Sequence, residues 1–147
     1  MKKNQDKSMR LDGQLCFALY ASSLAMTKAY QKHLQNAGLT YPQYLVMLVL
    51  WEHLALSVSE IGELLFLDSG TLTPLLKRLE TAGHIKRKRS PEDERRVMVE
   101  LTSKGKQLKS KLSDVPEMML KTSQCSRLEA KKLTQQLKLL SHSLREN

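Results

Sequence analysis

Hydrophobic positions recur at helical spacing over most of the chain. Between Leu11 and Leu34 an apolar stripe runs through Leu11, Leu15, Leu19 and Leu24, widened by Phe17 and Ala18, with no proline and with Gly13 only at its start. The spacing predicts one long helix with Asp12 near its N-terminus, where a carboxylate is favoured. Asn36, Gly38 and Thr40 break it, and Pro42 opens a second helix from Tyr41 to about His53, apolar on most sides. Ala55-Leu56-Ser57 reads as a short connection or a scrap of strand. Ser57 and Glu60 have the spacing of a capping box for a third helix, Ser59 to about Phe66. After a turn at Leu67–Gly70, apolar residues fall at Leu72, Leu75, Leu76 and Leu79, one face of a helix lying on a core, and Gly83 ends it as a C′ glycine does. Pro74 leaves two starts open: near Thr71, with that residue as N-cap, or at Ser69 with one internal hydrogen bond lost.

The period then changes. His84–Arg89 and Val97–Leu101 read as two strands around a long tip, Ser90–Arg96. Thr102-Ser103 caps a fifth helix, Lys104 to about Lys121, bent by the internal Pro116. A break at Ser123–Arg127 precedes a last helix, Leu128–Leu144, with Leu133, Leu137, Leu140 and Leu144 on one side. Residues 1 to about 9 are polar and predict a frayed start. The fold class is mainly α with a small β-wing.

Helix, short turn, helix and then a basic hairpin is the order of a winged helix-turn-helix. The outer face of the fourth helix carries Ser69, Thr71, Thr73, Lys77 and Arg78, hydroxyls first and cations after. Such a face can enter a major groove, hydroxyls reaching bases or phosphates and cations neutralising phosphate. From His84 to Arg96 six basic residues stand against three acidic ones, a net of +3. Arginines on such a wing can enter the minor groove, with the acids orienting them. The DNA-contacting set is therefore Ser69, Gly70, Thr71, Thr73, Pro74, Lys77 and Arg78 on the helix, and Arg87, Lys88, Asp93, Arg95 and Arg96 on the wing.

Composition agrees with that reading. The formal charge of +9 over 147 residues calls for a polyanionic partner, nucleic acid or an acidic membrane surface. No apolar run nears the roughly 18 residues of a membrane span, and no apolar segment of the signal-peptide kind follows Met1–Lys7. The expectation is a cytoplasmic protein, whose two cysteines are buried thiols or a redox pair instead of a structural disulfide. With 41% hydrophobic residues and 5% aromatic, the core is built of Leu, Met, Val and Ala. The first helix and the last two cannot all bury their stripes on a small winged core. The economical solution is one domain over 1–147, in which about 10–35 and 104–147 form dimerisation helices and about 41–101 the winged core. A symmetric dimer reads an inverted repeat with half-sites about one helical turn apart.

The chain resembles the MarR family of winged-helix regulators, and within it the organic hydroperoxide resistance regulators (OhrR). The resemblance runs nearly the whole length. It rests on Leu15-Cys16-Phe17-Ala18-Leu19-Tyr20-Ala21-Ser22-Ser23, on Thr40-Tyr41-Pro42-Gln43-Tyr44-Leu45, on Leu67 through Glu80, and on Arg87-Lys88-Arg89-Ser90 with Asp93-Glu94-Arg95, which contains the family's Asp-x-Arg wing signature. It implies a homodimeric repressor, without enzymatic activity or cofactor, that leaves its operator when organic hydroperoxide oxidises one cysteine.

Cys16, among Leu15, Phe17 and Leu19, reads on its own as a small core hydrophobe. Sensing needs its thiolate, the form that attacks a peroxide oxygen. The helix dipole gives modest help about one turn in, and Tyr20, four residues on, shares its face. The resemblance implies that phenols matching Tyr30 and Tyr41 support the sulfur. Cys125, in the break before the last helix, is a bystander or a resolving thiol. The resemblance to two-cysteine members implies that it bridges to the sensor of the other subunit. Two rivals remain: a repressor released by a phenolic ligand, with Cys16 merely lining the pocket, and a thiol peroxidase, for which no Arg stands beside Cys16. His33, His53, His84 and His142 lack metal-ligand spacing.

Overall fold

The computed structural model describes residues 8–147. Most of the expected frayed start, residues 1–7, lies outside the described residues. The chain divides into one unit that ends at Leu112 and a second, Ser113–Asn147.

In the first unit, α1 spans Leu15–Leu34. It starts one turn later than its apolar spacing predicts. Leu11–Gly13 forms a separate 3-10 turn, and Gln14 between them is extended. The Gln14 side-chain amide donates to the Ser8 and Arg10 carbonyls, at 2.6 and 3.1 Å. Asp12 therefore sits outside α1, paired with Arg10 at 3.4 Å, and cannot act on the helix's first turn as expected. The displacement puts Cys16 at the second position of α1. A 3-10 turn, Gln35–Ala37, and Gly38 at φ +68° reverse the chain, a backbone conformation that glycine adopts without steric cost. Helix α2, Tyr41–His53, opens with a full capping box between Thr40 and Gln43 and with Pro42 in its first turn.

Strand β1 (Ala55–Ser57) leads into α3 (Val58–Leu65), capped by Ser57 and Glu60. Phe66, at φ +56°, makes the tight turn to α4, Ser69–Thr81. Strands β2 (Ile85–Arg89) and β3 (Val97–Leu101) form the wing hairpin. The sheet is antiparallel in the order β1-β3-β2, with Leu56 opposite Val99 and Arg87 opposite Val99 on the other side. Helix α5, Ser103–Lys111, is capped by Thr102. The core gathers Val46, Met47 and Leu50 of α2, Ile61 of α3, Leu72, Leu76 and Leu79 of α4, and Ile85 and Val99 of the sheet, each at most 1% exposed. Burial of the three α4 leucines, about 2 kcal/mol each, fixes which face α4 turns outward.

The link from α4 to the wing is tight. Gly83 takes φ +82°, and the Thr102 hydroxyl donates to its carbonyl at 2.6 Å. His84 follows, 5% exposed, its Nδ1 without a hydrogen-bond partner among the described residues. Burial, and then the charges of Lys104 and Lys111, push its pKa below the usual histidine value. The folded state prefers the neutral ring, so the unfolded chain takes up a proton first on acidification. The contribution of this group is full above about pH 6.5 and declines as pH falls from there toward the depressed folded value. Urea melts at neutral and mildly acidic pH are expected to show wild type losing more stability over that interval than His84→Gln. Equal losses would refute it.

In the second unit, α6 (Val115–Ser123) and α7 (Arg127–Arg145) are joined through Gln124 at φ +58°. The single bent helix expected from Lys104 to Lys121 is two helices, α5 and α6, separated at Leu112–Asp114. Pro116 lies in the first turn of α6, where its missing N–H is not needed, and does not bend a helix interior. Ser126 and Glu129 form the capping box of α7. Among the described residues, none of α7 is buried. Leu128, Leu133, Leu137 and Leu144 stay exposed. On α1 only Leu34 is buried, while Leu15, Phe17, Tyr20, Leu24 and Met26 are exposed.

Candidate functional site

Helix α4 begins at Ser69, the earlier of the two starts, because Asp68 caps it. Its Oδ1 accepts from the Thr71 amide at 2.7 Å, and the bonds from Thr71 hold the carboxyl below its usual range. The first turn thus presents Ser69, Gly70 and Thr71 to solvent, with Thr73 half-buried and Pro74, Lys77 and Arg78 exposed beyond it. Pro74, the sixth residue, provides no N–H for the Gly70 carbonyl. The hydroxyls of this turn and the positive end of the helix dipole face solvent beside the Asp68 cap.

The wing arginines do not all face outward. Arg87 is turned back onto α4: its Nη2 lies 3.0 Å from Glu80 Oε1, and its backbone amide donates to Glu80 Oε2 at 3.0 Å. The Arg87 side chain is only 23% exposed, and its guanidinium holds the Glu80 carboxyl below its usual range. Arg87 therefore ties wing to helix in the free chain. Lys88 pairs with Glu100 at 2.9 Å and Arg96 with Glu60 at 3.5 Å, both partly exposed. At the tip, Asp93 Oδ1 accepts from the Arg95 amide at 3.0 Å, and the Asp93 carbonyl accepts from the Arg96 amide at 2.9 Å. This turn throws out Arg95, whose side chain is 94% exposed. Arg89, which donates to the Glu94 carbonyl at 2.9 Å, braces the same tip.

Both cysteines are free thiols, Cys16 exposed and Cys125 half-buried. Tyr20 is exposed, beside Phe17 at 6.4 Å between ring centroids. Tyr30 and Tyr41 come together, 4.6 Å between centroids, and Tyr44, which sequence reasoning did not single out, completes a cluster at 5.7 and 6.5 Å from them. Burial raises the pKa of all three phenols, and neighbouring phenols add to this for Tyr30 and Tyr44. They stay protonated at neutral pH, as donors. Within one protomer they do not serve Cys16. Tyr30 lies fourteen residues further along the same helix, about 21 Å at 1.5 Å per residue. Among the described residues, no cluster of three or more His, Cys, Asp or Glu is placed to hold a metal ion, and no helix is long and apolar enough to cross a membrane.

Residues 28–112 match the family model described as transcriptional regulator SarA/Rot. The chain is 50% identical over 144 residues to the organic hydroperoxide resistance transcriptional regulator of Bacillus subtilis (strain 168), covering 98% of each. It is also similar to two solved forms of AbfR, a protein of Staphylococcus epidermidis. Against reduced AbfR bound to DNA it has 36% identity and a TM-score of 0.82, covering 99% of this chain and 98% of that one. Against disulfide-formed AbfR it has 35% identity and a TM-score of 0.65, covering 99% and 97%.

Proposed function

The chain belongs to the MarR family of winged-helix transcriptional regulators, among the organic hydroperoxide resistance regulators, and from that premise we propose that it is a cytoplasmic, homodimeric repressor that binds an inverted-repeat operator and leaves it when Cys16 is oxidised. Helix α4 would lie in the major groove with Ser69, Thr71, Thr73, Lys77 and Arg78 toward DNA, and Arg95 would enter the flanking minor groove. The bare leucine stripe of α7 and the apolar side of α1 support a dimer built from the chain ends.

The observation that carries the redox reading is the position of Cys16, exposed in the first turn of α1, on a chain half identical to a hydroperoxide regulator. The Cys16 thiolate attacks a peroxide oxygen. An S–O bond forms as the O–O bond breaks, the alkoxide leaves and takes a proton as the alcohol, and the sulfur becomes a sulfenic acid, two electrons poorer. The thiolate of Cys125 then attacks that sulfur, forming S–S and expelling hydroxide, which leaves as water. Because Tyr30 stands about 21 Å along α1 from Cys16 of its own chain, and Tyr41 of α2 packs against Tyr30, the phenols that support a given Cys16 come from the other subunit. Tyr20 joins from the sensor's own face or the partner's. Oxidation removes the thiolate these donors hold.

The test of the second step is a non-reducing gel after cumene hydroperoxide treatment. A covalent dimer band is expected from the wild type and absent from Cys125→Ser. Its absence from the wild type would remove Cys125 from the scheme.

A further inference from the structure

A line of aromatic contacts leads from the phenol cluster to the root of the wing. On α2, Tyr41, Tyr44 and Trp51 are spaced by three and seven residues and share a face. Tyr44, 2% exposed, lies against Tyr30 and Tyr41 on one side. On the other it meets Trp51 edge-on, 6.2 Å between centroids at 69°. Trp51 Nε1 donates to the Gly105 carbonyl in the first turn of α5 at 2.9 Å. Gly105 is packed so closely on the α4–β2 link that an added Cβ would lie 2.1 Å from the His84 carbonyl oxygen. The same carbonyl accepts from the Thr102 amide at 3.1 Å, and the Thr102 hydroxyl accepts from the Gly105 amide at 3.0 Å. These ring contacts and hydrogen bonds run without a gap from the phenol cluster to the residue joining α4 to the wing.

We propose that Trp51 is the positioning residue through which the Tyr30–Tyr41–Tyr44 cluster sets α4 and the wing, its indole N–H on Gly105 coupling the state of the phenols to operator affinity. This rests on the reading that oxidation at Cys16 acts through those phenols. Trp51→Phe keeps a ring against Tyr44 and removes the donor to Gly105. A merely structural role would weaken reduced and oxidised protein alike. A coupling role changes their ratio.

The experiment compares operator affinities of full-length reduced and cumene hydroperoxide-oxidised protein, wild type and Trp51→Phe, with oxidation followed by loss of free thiol. Reduced Trp51→Phe is expected to bind within about threefold of wild type and to lose its Cys16 thiol at the same rate, while the reduced-to-oxidised affinity ratio falls by about tenfold. An unchanged ratio overturns the role of Trp51. A wild type that keeps its affinity after losing the thiol overturns the redox reading beneath it. Trp51 is the only tryptophan in the chain, so the intact protein supplies a second measure should Trp51→Phe not fold. Its emission is expected to change when the wild type is oxidised and to stay constant in Cys16→Ser under the same treatment. Constant emission in oxidised wild type overturns the proposal.

Discussion

A Cys16→Ser protein is expected to remain on its operator through an excess of cumene hydroperoxide that strips the wild type from the same duplex. Serine matches cysteine in shape to within one atom, and the site is the exposed second position of α1, so folding and reduced-state binding should be unaffected. What changes is the chemistry. A serine hydroxyl does not ionise near neutral pH and cannot be oxidised by a hydroperoxide, whereas a thiolate sulfur accepts the peroxide oxygen. The contrast is all-or-none. Release of the wild type requires operator affinity to fall by at least about 100-fold, close to 3 kcal/mol, at the upper end of ordinary coupling between sites. The variant should show no fall.

The measurement is fluorescence anisotropy on an operator selected by the reduced protein from a random duplex pool, with and without cumene hydroperoxide. If Cys16→Ser is released as readily as wild type, the sensor lies elsewhere. If both are released by a phenolic compound under reducing conditions, the protein is a ligand-responsive repressor and Cys16 only lines its pocket.

The winged architecture was legible because period and punctuation agree. Leu72, Leu76 and Leu79 lie on the core as their spacing predicts, and the capping box at Ser57–Glu60 forms between the residues that spell it. The hairpin pairs from Ile85 with Leu101 to Arg89 with Val97 around the expected tip. What was not legible depends on partners distant in sequence or on competing local choices. Asp68, three residues before Thr71, has the spacing of an N-cap, but Pro74 is also compatible with a start near Thr71, so local rules alone leave both starts open. The inward turn of Arg87 needs Glu80, across the Gly83 reversal, and hairpin charge alone cannot distinguish a tethered arginine from an offered one. The division between α5 and α6 follows from Pro116, whose place in a first turn instead of an interior is settled by the three residues ahead of it. The separation of Cys16 from Tyr30 could have been calculated, since both lie on one uninterrupted helical stripe.

Arg95→Ala is expected to weaken operator binding about 100-fold, roughly 1.4 kcal/mol for each of two copies in a dimer. The charges around it explain why this residue and not its neighbours. Arg87, Lys88 and Arg96 pair with Glu80, Glu100 and Glu60 on other elements and keep 23, 59 and 52% of their side chains exposed. Arg95 pairs with the Asp93 carboxylate of its own turn, at 3.5 Å, and keeps nearly all of its side chain in solvent. Asp93 also accepts from the Arg95 backbone amide and so aims the residue without burying it. A guanidinium held at a wing tip suits a narrow minor groove, where the potential is most negative and a planar donor fork fits. Arg95→Lys should recover only part of the loss, since an ammonium keeps the charge and lacks the fork. If one phosphate is neutralised per copy, the slope of log affinity against log salt should become shallower by about two in Arg95→Ala. Lys109→Ala, on the exposed side of α5, serves as the control and should leave both affinity and slope unchanged. An Arg95→Ala protein with wild-type affinity and salt slope would mean that the wing does not touch DNA, leaving α4 to carry recognition by itself.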